Sequence, residues 1–159
     1  MSLAITDNYI TAQEAESVLN YLNGIFAATP GERGIKRFGL TNSYSSNKIS
    51  SEIPEALNYL VQKLIDDGFA TEIRHVTVNR YDPGQSIPFH TDSKEAGDVI
   101  TIISLNSDCV MLFKKGKNAV AVTVPANSLT QFKGSHRWDM KHSIQPVSKL
   151  RYSIVFRKH

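Results

Sequence analysis

The segment His90-Thr91-Asp92 places two possible metal ligands within one stretch of chain that reads as extended. Side chains at positions i and i+2 of an extended segment point to the same side, so the imidazole and the carboxylate can reach one point. Two histidines and one carboxylate on one face of a metal are typical of non-haem Fe(II) oxygenases, and they leave positions open for a co-substrate and dioxygen. The segment therefore predicts an iron site if a second histidine joins it.

Four other histidines could supply the remaining ligand, namely His75, His136, His142 and His159. His159 ends the sequence, where a backbone is commonly frayed. His136 stands among polar residues, whereas His142 precedes the apolar Ile144, as in a buried strand end. The spacing alone does not choose between His136 and His142.

The segment from Leu150 to Arg157 alternates in polarity and predicts a strand with two arginines on one face. Arg151, Ser153 and Arg157 share that face, and the opposite face is apolar. Burying a guanidinium group is costly without a partner. A dianionic ligand would offset that cost, because guanidinium groups bind carboxylates through two parallel hydrogen bonds. The alternative is a pair of surface arginines in contact with solvent.

A second predicted strand, over 72–81, carries Asn79 and Tyr81 on one face, where both could donate to the same ligand. The order along the chain is then N-x-Y, H-x-D, a distant histidine, and R-x-S-x-x-x-R. This order fits an oxygenase site that holds iron with the triad and the two carboxylates of 2-oxoglutarate with the arginines and the Asn/Tyr pair.

Two helices are predicted in the first half of the chain. Thr11-Ala-Gln-Glu14 is a capping box, and apolar residues follow it at helical spacing. A second helix is expected to start near Pro54 and to stop near Gly68. The intervening segment 28–51 is rich in Gly, Ser, Thr and Asn, and it is expected to be a loop with a short strand at most, either a substrate-facing lid or a plain surface loop.

The apolar period changes from 3.6 to 2 after residue 71, which predicts a run of short strands. The expected strands are 72–81, 99–105, 109–114, 119–124, 128–132 and 150–157, with a further short strand around His142. No helical pattern interleaves them, so a parallel sheet is not expected. We expect an α+β, mainly β fold. The expected core is a double-stranded β-helix (jelly roll) at 71–159. A helical and lid segment at 1–70 is expected to pack its two helices on one sheet. The whole is expected to form a single domain over 1–159.

The composition narrows the classes of protein. The 159 residues contain a single cysteine, Cys109, which excludes an intramolecular disulfide framework and fits a reducing compartment. No signal peptide and no membrane-spanning apolar run is expected, so a cytoplasmic monomer is predicted. Residues 133–159 carry seven Lys and Arg against one Asp. Such a charge asymmetry is typical of surfaces that meet phosphates, although internal arginines that bind a small anion would also produce it.

The stretch from Val76 to Arg157 resembles the catalytic core of the AlkB family of Fe(II)/2-oxoglutarate dioxygenases. The family pattern matches Asn79, Tyr81, His90, Asp92, His142, Arg151, Ser153 and Arg157. The resemblance implies a metal triad of His90, Asp92 and His142, with Fe(II), 2-oxoglutarate and O2 as cofactors. It also implies that Arg151 and Tyr81 bind the distal carboxylate of 2-oxoglutarate, while Arg157, Asn79 and Ser153 serve the end that chelates iron.

Within the family, the sequences of several motifs are most similar to those of the branch that contains the tRNA wobble-uridine hydroxylase. These motifs are Pro83-Gly-Gln-Ser-Ile-Pro88, Ile103-Ser-Leu-Asn-Ser107, Val110-Met-Leu-Phe113, and Arg137-Trp138 with His142. Lys94 stands two positions after the metal aspartate, where bacterial repair members of the family often have an acidic residue. The resemblance therefore favours a nucleic-acid substrate without specifying the repair reaction.

The expected reaction is oxidation of a modified or alkylated base in RNA, tRNA or single-stranded DNA, by oxidative demethylation or stable hydroxylation. A base in a folded nucleic acid must be unstacked to enter such a pocket. The candidates for the substrate-binding rim are Arg33, Arg37, Tyr44, Lys94, Arg137 and Trp138, of which Trp138 could equally belong to the core. The alternatives are an oxygenase of a protein side chain or small molecule, and a non-catalytic jelly-roll module, which the intact triad and arginines disfavour.

Overall fold

A computed structural model describes residues 2–43 and 46–158 of the chain, with side chains throughout except at 40–51. The described strands, in chain order, are β1 (Leu3–Thr6), β2 (Gly34–Ser43), β3 (Ser46–Ser51), β4 (His75–Tyr81), β5 (Ile87–His90), β6 (Ile100–Leu105), β7 (Cys109–Lys115), β8 (Asn118–Val124), β9 (Leu129–Phe132), β10 (Lys141–Ile144) and β11 (Arg151–Arg157). The helices are α1 (Ala12–Ile25), α2 (Glu55–Asp66) and α3 (Gly134–Trp138), with a short 3-10 helix at Lys94–Ala96.

Two antiparallel sheets form the core of the molecule. The major sheet has seven strands in the order β1-β9-β6-β11-β4-β2-β3, and the minor sheet has four in the order β5-β10-β7-β8. Side chains of both sheets line one cavity between them. The predicted jelly-roll core is confirmed, with mainly β structure and few helices.

Helices α1 and α2 begin where the sequence predicts. The capping box is present, because the Glu14 backbone N–H donates to Thr11 Oγ1 and the Thr11 N–H donates to Glu14 Oε1. Helix α2 directly follows Pro54. The apolar faces of both helices pack on the major sheet in one buried cluster, which includes Leu22, Leu57, Leu60, Leu64, Val76, Val78, Ile154 and Phe156. The other face of the same strands is therefore free to line the cavity.

Three strands lie in the segment that was expected to be helical or loop. Strand β1 pairs with β9, β2 pairs with β4, and β3 pairs with β2, so the first third of the chain widens the major sheet. Strand β2 shows no apolar alternation because its cavity side carries Ile35 and Arg37, whereas its helix side carries Lys36 and Phe38. The expected absence of regular strand structure over most of 28–51 is wrong for this reason.

None of the helices in the described residues is long and apolar enough to cross a membrane.

Gly39 holds β2 close to the segment that enters β4. Its φ is +85°, and a Cβ at this position would lie 2.3 Å from the Arg74 carbonyl oxygen. We expect Gly39→Ala to lower the free energy of unfolding by about 2 kcal/mol or more, because both the backbone conformation and the contact become strained. Urea denaturation measures this. Gly24→Ala is the control: it lies in α1 with no atom within 4 Å of the added Cβ. It should be neutral or stabilising by up to about 1 kcal/mol. Equal stability of Gly39→Ala and the wild type would contradict the account.

Candidate active site

His90, Asp92 and His142 meet at one point beside the cavity. Strand β5 ends at His90, Asp92 follows in the next loop, and β10 presents His142 directly opposite His90 in the antiparallel pair. Asp92 Oδ1 lies 3.7 Å from His90 Nε2, and Asp92 Oδ2 lies 3.8 Å from His142 Nε2. One ligand atom from each residue lies within 4.8 Å of the others, so the three can enclose one small cation.

The protonation of both histidines suits metal binding. His90 Nδ1 lies 2.8 Å from the Pro88 carbonyl oxygen. Because a carbonyl only accepts hydrogen bonds, Nδ1 is the donor in this contact, and Nε2 is the ring nitrogen that faces Asp92. Burial lowers the pKa of His142 to about 4, although the Asp92 carboxylate opposes the shift. His142 is therefore a neutral imidazole at neutral pH, as a metal ligand must be.

Arg137 holds the loop that carries Asp92. Its buried guanidinium group donates to three backbone carbonyls, those of Asp92 (3.2 Å), Ser93 (2.7 Å) and Gly97 (2.8 Å). Arg137 lies on α3, five residues before His142, so one side chain ties together the segments that carry two of the three ligands. This placement corrects the expectation that Arg137 lies on the substrate rim, because a guanidinium spent on backbone carbonyls is not available to a substrate.

The deep end of the cavity is built around Arg151. Its side chain is 2% exposed, and Nη2 donates to Ser104 Oγ at 2.8 Å. Within the described residues, Arg151 Nε and Nη1 have no hydrogen-bond partner. The guanidinium carbon lies 5.3 Å from the centre of the Tyr81 ring. Burial raises the pKa of Tyr81, so the phenol stays neutral and can donate a hydrogen bond.

The opposite end of the same wall connects Arg157 to the metal triad. Arg157 Nη2 lies 3.6 Å from Asp92 Oδ1, while Arg157 Nε is buried without a partner in the described part of the chain. Between the arginines, Asn79 donates from Nδ2 to Ser153 Oγ at 3.2 Å and accepts from Arg33 Nε at 3.2 Å. Asn79 and Ser153 are cross-strand partners in the β4–β11 pair. This register explains why residues 74 positions apart act as one wall.

The cavity, of about 190 Å³, has the features that a small dicarboxylate needs. Its polar side offers unpaired N–H groups of Arg151 and the buried, unpaired Thr130 hydroxyl. Unpaired buried donors are costly, and a bound carboxylate would satisfy them. The remaining walls are apolar and are formed by Ile87, Ile100, Ile102, Met111, Val124 and Ile144. The donor set therefore fits both Fe(II) and 2-oxoglutarate.

The other predicted rim residues do not form one group. Arg33 and Arg37 line the cavity. Lys94 is exposed in the 3-10 helix after Asp92 and does not line the cavity. Trp138 is 45% exposed, which excludes a core position, and its ring centre lies 4.1 Å from the Arg137 guanidinium carbon. Tyr44 lies outside the described residues.

The structure also places the competing histidines. His75 is buried and pairs with Arg157 across the β4–β11 ladder, and it is not part of the cluster that His90, Asp92 and His142 form in the described residues. His136 is half-buried against the Phe113 ring and contacts the Ser2 hydroxyl. His159 lies outside the described residues. Of the described histidines, only His142 joins the pair formed by His90 and Asp92.

Sequence reasoning missed Ser104 and Thr130 as cavity residues. Ser104 anchors Arg151 from strand β6, and Thr130 lines the cavity from strand β9. Their signal is weak, because one hydroxyl residue among apolar neighbours is common in strands. The pairing of β11 with β6 and of β6 with β9 brings them to the site, and that pairing was not predicted.

Comparison with known proteins places the chain in a family. The model of the 2OG-Fe(II) oxygenase superfamily matches residues 28–157. The mouse (Mus musculus) protein named tRNA (carboxymethyluridine(34)-5-O)-methyltransferase ALKBH8 is 30% identical over 91% of this chain. The chain spans only 24% of that relative's length.

Two solved structures share the fold. The structure of OsALKBH1 superposes with a TM-score of 0.71 and 14% identity, covering 98% of this chain and 97% of the other. A prolyl hydroxylase from Trichoplax adhaerens, solved with a peptide fragment of hypoxia inducible factor, gives 0.66 and 17% identity, covering 99% of this chain and 84% of the other.

Fold, triad and buried arginines together define an iron-dependent oxygenase that consumes a 2-oxo acid. The chain belongs to the 2OG-Fe(II) oxygenase superfamily. It is a 2-oxoglutarate-dependent dioxygenase, and its cofactors are Fe(II), 2-oxoglutarate and O2.

Replacement of Arg137 should weaken metal binding. We expect Arg137→Met to reduce affinity for Fe(II) by about 10-fold or more, because the Asp92 loop loses three hydrogen bonds and groups behind a ligand tune its affinity. Anaerobic calorimetric titration measures the affinity, and circular dichroism confirms that the variant is folded. Arg74→Met, at an exposed arginine paired with Glu72, is the matched control and should bind as the wild type does. Unchanged affinity in a folded Arg137→Met would refute this role.

The metal-free protein should lose stability in mild acid. Burial lowers the pKa of both His75 and His142 from 6.5 to about 4. The unfolded chain therefore binds more protons than the folded chain between these values, and the free energy of unfolding falls as the pH falls through this window. Each histidine contributes up to about 3 kcal/mol to the loss. Denaturation curves across this pH range should show that His75→Leu removes about half of the slope. An unchanged slope would contradict the assignment.

Proposed function

We propose that this dioxygenase oxidises a modified or alkylated base in nucleic acid, with RNA or tRNA favoured, by demethylation or hydroxylation. The observation that supports this proposal is the excess of positive charge on the cavity wall. Arg33, Arg37, Arg151 and Arg157 all line the cavity, and Asp92 is the one carboxylate among its lining residues. Two of these arginines have anionic partners, because Arg151 pairs with the dianionic co-substrate and Arg157 lies beside Asp92. The other two can serve a second anionic partner, and phosphodiester groups suit guanidinium recognition.

In this proposal each site residue has a defined task. His90, Asp92 and His142 hold Fe(II). Arg151 and Tyr81 bind the distal carboxylate of 2-oxoglutarate at the buried end of the cavity, where Arg151 Nε and Nη1 have no hydrogen-bond partner among the described residues.

Arg157, Asn79 and Ser153 serve the end of the co-substrate nearest the metal. Arg157 also steadies Asp92, whose Oδ1 it approaches to 3.6 Å. The hydrogen bond from Arg33 orients the Asn79 amide, because the amide oxygen accepts from Arg33 and the amide nitrogen is left to donate. The apolar walls of the cavity limit the access of water to bound Fe(II) and 2-oxoglutarate.

The cofactors, when bound, supply the oxidation of a C–H bond by O2 as 2-oxoglutarate is converted to succinate and CO2. The protein has to admit one substrate carbon to the part of the cavity next to the metal triad. If that carbon is an N-methyl group, its hydroxylated form releases formaldehyde. If it is a methylene on a base, the alcohol remains.

Two further facts support nucleic acid as the substrate. Arg37 is exposed and Arg33 is half-buried, and both follow the cavity side of strand β2 with Ile35 between them. Such a row can contact a phosphate on each side of an inserted base. In addition, the mouse relative ALKBH8 is named as a methyltransferase of carboxymethyluridine 34 in tRNA.

A nucleoside mass profile tests the proposed function. The protein is incubated with Fe(II), 2-oxoglutarate, ascorbate and air, in separate reactions with bulk tRNA, methylated RNA and methylated single-stranded DNA. We expect loss of an N-methyl nucleoside with release of formaldehyde, or gain of one oxygen on a wobble uridine. His90→Ala should abolish the change, because it removes a ligand of the metal.

An unchanged profile in all three nucleic acids, with succinate still formed, would refute the nucleic-acid substrate. That result would instead favour the alternative, a hydroxylase or demethylase of a protein side chain or small molecule. Failure to form succinate at all would argue against a functional site in this chain.

A further inference from the structure

The outer face of the minor sheet carries an uncompensated group of lysines. Three exposed lysines form this group, which we call the lysine face: Lys114 near the end of β7, Lys117 in the β7–β8 turn, and Lys141 at the start of β10. Within the described residues, none of the three forms an ion pair, and no strand of the minor sheet contains an acidic residue. The lysine face therefore has no protein partner for its charge.

The register of the sheet sets two of these charges side by side. Lys141 pairs directly with Lys114 in the antiparallel β10–β7 ladder. Like charges at directly opposed positions destabilise a sheet. An anionic ligand that bridges the two ammonium groups would remove this repulsion. Lys114 is also partly fixed in place, because its ammonium nitrogen lies 5.2 Å from the centre of the Phe89 ring on β5.

The lysine face lies directly behind the metal ligands. Phe89 and Lys141 are the sequence neighbours of His90 and His142, and successive side chains on a strand point to opposite faces. His142 points inward among buried residues, whereas Lys141 is exposed. The two positive surfaces of the protein thus flank the site from different sheets, with Arg33 and Arg37 on the major sheet and the lysine face on the minor sheet.

We propose that the lysine face binds the phosphate backbone of a nucleic-acid substrate outside the target nucleotide. This inference rests on the proposed function, because it assumes that the inserted group belongs to a polynucleotide. A base in the cavity leaves its strand to continue over one edge of the site, and regularly placed lysines attract the successive phosphates of that strand. The lysine face then contributes affinity for long substrates and none for the nucleotide that is oxidised.

The test compares two double variants of equal charge. Lys114→Gln/Lys141→Gln removes the opposed pair, and Lys63→Gln/Lys149→Gln removes two lysines outside the minor sheet, on α2 and in the segment before β11. Fluorescence anisotropy measures the binding of the Fe(II)-free protein to a labelled single-stranded RNA of about 20 nucleotides, across a salt series. Thermal denaturation confirms that both variants are folded.

We expect the Lys114→Gln/Lys141→Gln protein to bind this RNA several-fold more weakly. The slope of log affinity against log salt should become shallower by about 1.4, since each lysine–phosphate contact on a single strand contributes about 0.7. Binding of a trinucleotide should not change, because it reaches only the cavity. The control variant should retain the wild-type slope.

The outcomes separate this inference from the proposed function. RNA binding by the wild type with equal slopes in the two double variants would overturn the role of the lysine face and leave the proposed function standing. Equal losses in both variants would overturn it too, since they would indicate a general charge effect. No RNA binding by the wild type at low salt would overturn both proposals.

Discussion

The buried guanidinium group of Arg151 is the interaction on which the site depends. It is a full charge at 2% exposure with one hydrogen bond, to Ser104, in the described structure. Leaving a buried charge incompletely paired is expensive, and under the proposed function a carboxylate that enters the cavity completes the pairing. The same requirement explains the polar wall beside it: Tyr81, Asn79 and Ser153 are placed by the β4–β11 register along the path from Arg151 to the metal triad.

The antiparallel pairing of β5 with β10 supplies the other half of the site. It sets His90 opposite His142, although 51 residues separate them in the chain, and the loop after β5 then brings Asp92 between them. Short strands alone would hold such a geometry loosely. Arg137 adds rigidity by connecting the Asp92 loop to the helix that leads into β10. Metal binding and loop geometry are therefore coupled through one arginine.

The sequence predicted the elements that have a strong local signal. The capping residues of α1 predict its start, and the period of apolar residues predicts α2, β4 and β11. Strand β2 could not be recognised, because Arg37 on its cavity side and Lys36 on its helix side interrupt the apolar alternation. Strand β5 was not among the expected strands, because it is short and contains Pro88. Proline is tolerated there since β5 lies at a sheet edge.

For the site, residue types and motif order singled out His90, Asp92 and the arginines of the last strand, whereas His142 was chosen over His136 only through the family resemblance. The burial of Arg137 could not be foreseen, since an arginine beside a tryptophan suggests a binding surface as readily as a structural bond. Only the fold shows that three backbone carbonyls surround its guanidinium group.

The most direct test of the account is an anaerobic calorimetric titration of the Fe(II)-loaded protein with 2-oxoglutarate, for the wild type and for Arg151→Met. The account predicts one co-substrate per chain in the wild type. In Arg151→Met it predicts unchanged Fe(II) binding and affinity for 2-oxoglutarate lowered by about 100-fold, because the buried carboxylate loses its charged partner. Equal affinity of the two proteins for 2-oxoglutarate would contradict the central claim that the buried guanidinium group defines the co-substrate site.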